Sequence, residues 1–305
     1  MNLLSLLGIL SSAIYSGTSL LYTALGEVIH ERAGMVNLGL EGVLLVSAAS
    51  GFAITVQSGN PYLGVLVSVI AGALLNMVFG YLTVIRKANQ LASGLAIMFF
   101  GFGLSALIGN PYVGKSIHAL PRFELPGLAH LPTLTASLFR FDLLIFLVIP
   151  TAVIVWFLLF RTRWGLGLRA VGENANIAYA SGRNPLLIQF QALLVGGMLA
   201  GLGAAHIAIA YAMNWTEYMT GGRGFIAVAL VIFSRWHPIR AIVGALLFSA
   251  SVAVQLVLQN SGINISPFLL DCFPYIITLL VLIAWGGTKK QQAPASLGRV
   301  FQGTK

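Results

Sequence analysis

The stretch YLGVLVSVIAGALLNMVFGYLTVI, residues 62–85, decides the fold class, because it contains no charged side chain. A helix needs roughly 20 consecutive apolar residues to cross the hydrocarbon core of a bilayer, and this stretch is long enough. Comparable apolar runs occur along the whole chain. They lie at Leu3–Gly26, Met35–Val56, Leu91–Gly109, Phe141–Phe160, Leu186–Tyr211, Phe225–Phe233, Ala241–Leu258 and Cys272–Trp285.

These runs are continuous, whereas a membrane β-barrel would show alternating apolar and polar stretches of about ten residues. A helix also satisfies all of its own backbone hydrogen bonds in lipid. The sequence therefore predicts an all-α, polytopic transmembrane helical bundle with about nine membrane segments, some of them broken or re-entrant. We expect a single domain over residues 1–305, with one long outside loop at 110–140.

The composition agrees with a membrane protein. Only 8% of the residues are charged, whereas a soluble domain carries about 25%. The net charge of +9 needs no nucleic-acid partner, because most of the Lys and Arg residues fall in loops on one side. The positive-inside rule then predicts a multi-pass protein of the plasma (inner) membrane, with its N-terminus outside and its C-terminus in the cytoplasm.

A first polar segment, EVIHERAGMVNLGLEG at residues 27–42, interrupts the apolar pattern. Polar residues at membrane depth usually face a bundle interior or a watery cavity, and broken helices often line binding sites in transporters. We therefore place Asn37 and Glu41 in a candidate substrate pathway. The alternative is a charged cytoplasmic turn in which Glu31 and Arg32 are simply solvated.

A second polar segment, NWTEYMTGGRGF at residues 214–225, combines glycines that permit a chain reversal with aromatic and charged side chains. Glu217 and Arg223 either pair with each other or bind a polar substrate near the outer mouth. Trp215 is either an interface anchor or a pathway residue. We include all three, together with Phe225, in the candidate pathway.

A long inside loop covers residues 161–185, RTRWGLGLRAVGENANIAYASGRNP. It is either a docking site for a cytoplasmic ATPase or a connector that obeys the positive-inside rule. The chain contains no zinc-protease motif and no nucleophile elbow, and its eight acids are scattered. We therefore expect no enzymatic activity and no metal site. The P-loop match GNPYVGKS at 109–116 follows a membrane run and faces outward, so we interpret it as coincidence.

Three stretches together resemble the permeases of bacterial ABC importers for nucleosides, which belong with the ribose and simple-sugar permeases. They are HERAGMVNLGLEG at 30–42, LRAVGENANIAYASG at 168–182 and MTGGRGFIAVALVIFSRWHP at 219–238. The resemblance implies that this chain holds no cofactor and that a partner ATPase uses the ATP. It also implies a second, homologous permease that forms a heterodimer with this chain, and an extracellular substrate-binding lipoprotein. By the same resemblance, the coupling residues are Arg169, Gly172, Glu173, Asn174, Asn176, Ala180 and Gly182.

The function predicted from the sequence is that of a membrane permease subunit in an ATP-driven importer. It would translocate nucleosides by alternating access between the two sides of the membrane. A simple-sugar permease of the ribose type is the alternative, and an ion channel or an intramembrane enzyme ranks below both.

Overall fold

The computed structural model of the protein describes residues 3–124, 140–260, 266–286 and 293–299. The prediction of an all-α, polytopic bundle is confirmed. Within the described residues, seven helices are long and apolar enough to cross a membrane, and two shorter apolar helices accompany them. The shorter ones lie at Arg223–Phe233 and Phe268–Leu280.

The helices begin and end close to the apolar runs, and two short strands pair outside them. The bounds are α1 Leu3–Arg32, α2 Leu40–Ser58, α3 Pro61–Gly80, α4 Gln90–Gly109, β1 Arg122–Glu124, β2 Arg140–Asp142, α5 Leu143–Arg161, α6 Arg163–Glu173, α7 Ala175–Ala180, α8 Pro185–Ala205, α9 Arg223–Phe233, α10 Pro238–Asn260, α11 Pro267–Asp271 and α12 Phe273–Gly286.

The first helix is longer than the sequence predicted. We placed its end at Gly26, where charged residues begin, but α1 continues to Arg32. Polarity did not end this helix because its charged residues find partners inside the bundle. The chain turns at Gly34, whose φ of +83° suits glycine, and it becomes helical again at Leu40.

Two helices continue into π-helical turns that the sequence did not predict. α3 runs into a π-helix at Tyr81–Ile85, and α8 runs into one at His206–Tyr211. An apolar run has the same composition whether its hydrogen bonds span four or five residues, so composition could not reveal these turns. Such bulges are frequent near functional sites.

Helix α8 lies at the centre of the bundle and packs against α1, α2 and α3. Glycines allow this close approach. A Cβ on Gly26 would lie 2.5 Å from the carbonyl oxygen of Gly196, and one on Gly72 would lie 2.4 Å from that of Gly197. Small residues at four-residue spacing, such as Gly196, Ala200 and Ala204 in α8, are the usual means of close packing between membrane helices.

The loop at 110–140 contains a feature that the sequence did not indicate. β1 and β2 pair in antiparallel fashion, with Phe123 opposite Phe141. Residues 125–139, about half of the expected outside loop, lie outside the described part of the chain.

Candidate functional site

The short helix α9 is held at its N-terminal end by Glu41. Thr220 Oγ1 donates a hydrogen bond to Glu41 Oε1 at 2.5 Å, and the amide of Gly222 donates to the same oxygen at 2.8 Å. The amide of Gly224 donates to Oε2 at 2.6 Å. A carboxylate is well placed at a helix N-terminus, where free amides and the helix dipole favour negative charge. Glu41 is only 4% exposed, so its hydrogen-bonding capacity is used within the protein.

The same polar segment also holds the C-terminal end of α9. The indole Nε1 of Trp236 donates to Glu31 Oε2 at 2.5 Å, and Arg32 Nε donates to the carbonyl oxygen of Trp236 at 3.0 Å. Arg235 and Trp236 both have positive φ, +52° and +55°, a conformation that costs energy for residues other than glycine. Glu31 is 2% exposed, so the alternative of a solvated charged turn is wrong for this residue.

Four polar side chains close a ring beside Gly196 and Gly197 of α8. Asn37 Nδ2 donates to Asn76 Oδ1 at 2.7 Å, and Asn76 Nδ2 lies 3.5 Å from His30 Nε2. His30 Nδ1 lies 2.8 Å from Glu27 Oε2, and Glu27 Oε1 accepts from the amide of Asn37 at 3.4 Å. All four residues are fully buried. We call these residues, Glu27, His30, Asn37 and Asn76, the polar ring.

The second polar segment is arranged differently from what its residue types suggested. Trp215 is fully buried, and its ring packs on Gly109, where an added Cβ would overlap it. This position does not fit an interface anchor. Glu217 is exposed. Arg223 makes its polar contacts with Ser16 and Ser19, at 3.5 and 3.4 Å, rather than with Glu217.

A polar cavity of about 340 Å³ opens beside the N-terminal end of α9. Its wall is formed by α1, the turn before α9, α10 and α11–α12. The polar side chains in this wall are Ser16, Thr220, Arg223, Ser249, Gln255 and Asp271. Sequence reasoning found only Arg223, although a lone acid such as Asp271 between two apolar runs was a usable signal.

A second, apolar cavity of about 350 Å³ lies between α9, α10 and α12. Phe225 contributes to its wall, together with Phe233, Phe248 and Tyr275. Among the candidate pathway residues, Arg223 and Phe225 therefore face cavities. Asn37, Glu41 and Trp215 are buried and line neither of these two cavities.

The inside loop folds into two short helices, α6 and α7. Asn174 caps α7 by accepting hydrogen bonds from the amides of Asn176 and Ile177. The expected coupling residues divide into two groups. Arg169 is half-buried over Phe160 and Gly172 is buried, whereas the exposed residues are Glu173, Asn174, Asn176, Ala180 and Gly182.

A surface groove of about 330 Å³ runs along α6 and α7. Ile177 lies in it and is 64% exposed. Leu166 and Tyr179 on the same two helices are also exposed. An apolar surface on this loop is suited to contact with another protein.

The segment 293–299 packs against the turn at Gly34 and the end of α6. The amide of Ser296 donates to the carbonyl oxygen of Gly172 at 2.9 Å, and the amide of Gly298 donates to that of Gly34 at 3.1 Å. Ser296 Oγ also donates to the backbone oxygen of Glu173 at 3.0 Å. This segment thus joins the inside loop to the break between α1 and α2.

Comparison with known proteins identifies relatives over nearly the whole chain. The chain is 36% identical over 90% of both sequences to the "Putative glucose ABC transporter permease protein TsgC13" of Haloferax volcanii. It is 31% identical to the "Guanosine ABC transporter permease protein NupQ" of Bacillus subtilis and 32% identical to the "Nucleoside ABC transporter permease protein NupC" of Lactococcus lactis, over 98% of each chain.

A solved structure shares the fold. It is described as "An inward-facing conformation of a putative metal-chelate type ABC transporter", with a TM-score of 0.53 and 17% identity over 92% of this chain and 85% of that chain. The family model for the branched-chain amino acid transport system permease component matches residues 9–284. The chain therefore belongs to the branched-chain amino acid transport system permease family.

Proposed function

We propose that this chain is the translocating permease subunit of an ABC importer for nucleosides. Substrate would enter from the outer face and leave to the cytoplasm by alternating access. ATP would bind to and be hydrolysed by a partner ATPase, so this chain itself would carry no cofactor.

The observation that carries the proposal is the placement of α9. With 11 residues it is about half the length needed to cross a bilayer. The turn around Glu41 fixes one of its ends, the pair Glu31–Arg32 fixes the other, and its N-terminus opens on a polar cavity. Broken helices whose N-termini face a cavity are the usual substrate-binding elements of transporters.

Each candidate pathway residue has a role in this proposal. Arg223 and Phe225 line the pathway. Asn37 and Glu41 hold its wall in place, because their hydrogen bonds anchor the turns around α9. Trp215 fixes the loop before α9 by packing on Gly109, and the exposed Glu217 lies at the outer mouth.

A simple-sugar importer is the second candidate, and the 36% identity to the glucose-named relative favours it. The two relatives named for guanosine and nucleosides cover more of the chain. We favour nucleosides because the polar cavity is continued by an aromatic one, a combination that a plain sugar does not need.

The partners follow from the exposed surfaces. We propose that the groove along α6 and α7 receives the ATPase, with the seven coupling residues at or behind it. We also propose that a second, homologous permease forms a heterodimer with this chain, and that an extracellular lipoprotein delivers the substrate. The apolar side chains exposed on α3 and α4 would face lipid or that second permease.

Uptake by the assembled importer tests the substrate. This chain would be purified together with the proposed ATPase, second permease and binding lipoprotein and reconstituted into vesicles with ATP on the cytoplasmic side. Labelled guanosine should accumulate, and excess cytidine should reduce its uptake more than excess glucose does. If glucose accumulates and guanosine does not, the nucleoside assignment is wrong.

Substitutions at two exposed aliphatic residues test whether the groove along α6 and α7 receives the ATPase. Ile177→Asp should reduce copurification of the ATPase, because it puts a charge into an apolar contact. Val113→Asp, a matched change at an exposed residue on the side predicted to face outward, should not. Equal ATPase recovery with both variants would contradict the assignment.

The orientation is tested by labelling in intact cells. In a background without the single cysteine, Cys272→Ala, a membrane-impermeant thiol reagent should modify the Lys115→Cys variant and spare the Arg183→Cys variant. The opposite pattern would reverse the proposed topology, with N-terminus outside and C-terminus inside.

A further inference from the structure

The polar cavity beside α9 contains hydrogen-bonding groups that the protein itself leaves unused. Gln255 Nε2 donates to Asp271 Oδ1 at 2.6 Å, and Gln259 Nε2 donates to the same oxygen at 3.1 Å. Among the described residues, none donates to Asp271 Oδ2. Within the described part of the chain, this carboxylate is therefore oriented by two amides, and its Oδ2 is an unused acceptor in the cavity wall.

The cavity is also electrically balanced. Arg223 lies in the same cavity wall as Asp271 and is held by the hydroxyl groups of Ser16 and Ser19 and by the face of the Tyr211 ring, 5.4 Å away. One positive and one negative side chain in the same wall favour a neutral ligand, because an added charge would find no net counter-charge. Carboxylate and amide oxygens are good acceptors for hydroxyl groups, so a neutral polyhydroxylated group suits this cavity.

The apolar cavity adjoins the polar one. Ile226, Phe248 and Tyr275 line both of them. Phe248 and Tyr275 meet edge to face, with ring centroids 5.9 Å apart. Each cavity falls in the size range of small-molecule sites, roughly 300–1,000 Å³. A single ligand that fills both must be hydroxylated at one end and flat and apolar-faced at the other.

We propose that the two cavities form one split site for a ribonucleoside. The ribose would lie in the polar cavity, with a hydroxyl group of its vicinal diol donating to Asp271 Oδ2. The base would lie in the apolar cavity against Phe225, Phe248 and Tyr275. This inference rests on the proposed function as a nucleoside permease, and it adds the residues that recognise each half of the substrate.

Uptake of two matched substrates tests the site in the complete importer. Vesicles with equal amounts of assembled complex would receive guanosine or 2′,3′-dideoxyguanosine, which lacks the diol. Substitutions on this chain leave the binding protein and the ATPase unchanged, so a difference between variants reports on the permease. Phe268→Ala, at an exposed residue of the same short helix as Asp271 but outside both cavities, is the control.

Asp271→Asn should lower the guanosine uptake rate at least about tenfold, the value of a hydrogen bond to a charged acceptor. It should leave dideoxyguanosine uptake close to wild type. Phe248→Ala should lower the uptake of both substrates about five- to a hundredfold, because stacking on the base is common to them.

Three outcomes would overturn the split site. Asp271→Asn could slow neither substrate, or both equally, which would mean that the diol does not contact this carboxylate. Phe248→Ala could leave both rates unchanged, which would place the base elsewhere. Phe268→Ala could match Asp271→Asn, which would assign the effect to the helix as a whole.

Failure of the broader proposal has a different signature. A wild-type importer that accumulates glucose and no guanosine contradicts the nucleoside function, and the split site falls with it. A wild-type importer that accumulates guanosine while all variants behave alike leaves the function standing and removes only the site.

Discussion

The polar ring against α8 and the polar cavity beside α9 are both groups of polar side chains in a chain that is only 8% charged, yet they are built in opposite ways. In the polar ring, each of the four fully buried side chains meets a partner. In the cavity, Asp271 keeps a free oxygen beside about 340 Å³ of open volume. A buried polar group in a membrane protein therefore marks a substrate site only when it has both unused hydrogen bonds and room.

This difference changes the role assigned to the first polar segment, residues 27–42. Asn37 and Glu41 were placed in the pathway because polar residues in an apolar run usually face a cavity. Their hydrogen bonds instead join elements far apart in sequence, from the break before α2 to α3 and from α2 to the turn before α9. The segment works as a clamp on α9, and the side chains with capacity to bind a ligand are those in the wall of the polar cavity.

The largest expected effect comes from breaking the clamp at Glu41. Glu41→Ala leaves Thr220 Oγ1 and the amides of Gly222 and Gly224 without their acceptor. Each donor lost inside a protein costs about 1–3 kcal/mol, so we expect at least about 3 kcal/mol of destabilisation. Thermal unfolding of the purified complex, followed by tryptophan fluorescence, measures it.

The control for this change is Glu217→Ala, at the exposed glutamate of the second polar segment. A substitution at such a surface position should change stability by less than about 0.5 kcal/mol. If the two alanine variants unfold at the same temperature, Glu41 does not clamp α9.

A change in the polar ring should separate it from the cavity. Asn76→Leu leaves Asn37 Nδ2 and His30 Nε2 buried without a partner, and we expect a loss of about 2–4 kcal/mol. Asp271→Asn, an isosteric change at an exposed residue of the cavity, should leave the unfolding temperature within about 1 °C of wild type while slowing transport. If Asn76→Leu were as stable as Asp271→Asn, the polar ring would not differ from the polar cavity in its contribution to stability.

The sequence predicted the membrane segments and their order, because a helix that crosses lipid needs a long apolar run. Such runs can be read directly from the sequence. It also marked the short segment that became α9 and the glycine turn that precedes it. These features depend on residues that are close together along the chain.

What the sequence did not reveal depends on residues that are far apart. Asn37 pairs with a side chain 39 positions away, and Glu41 pairs with one 179 positions away. The partner of Glu31 is Trp236, 205 positions away, and nothing local to Glu31 shows it, so the predicted end of α1 came too early. Asp271 was missed for the same reason, because its amide partners belong to α10.

A smaller effect should follow from filling the space that the polar ring needs. A Cβ on Gly196 would lie 2.0 Å from His30 Nε2. Gly196→Ala should therefore cost about 1–3 kcal/mol through overpacking. Gly103→Ala is the matched control, because its Cβ would meet nothing within 4 Å, and the better helix propensity of alanine should stabilise by up to about 1 kcal/mol. Opposite shifts in the unfolding temperature are expected, and equal shifts would show that the ring tolerates the added methyl group.

The smallest expected effect concerns the contact of segment 293–299 with the inside loop. Ser296→Ala removes the hydrogen bond from Ser296 Oγ to the backbone oxygen of Glu173, but it keeps the bond from the Ser296 amide to Gly172. The contact lies at the surface, where water replaces a lost partner, so we expect a cost of about 0.5 kcal/mol and a shift in unfolding temperature of about 1–2 °C. A shift as large as that of Asn76→Leu would mean that this exposed contact is as important for stability as the polar ring. The contrast between solvated and enclosed polar groups would then fail as an explanation of how this bundle is held together.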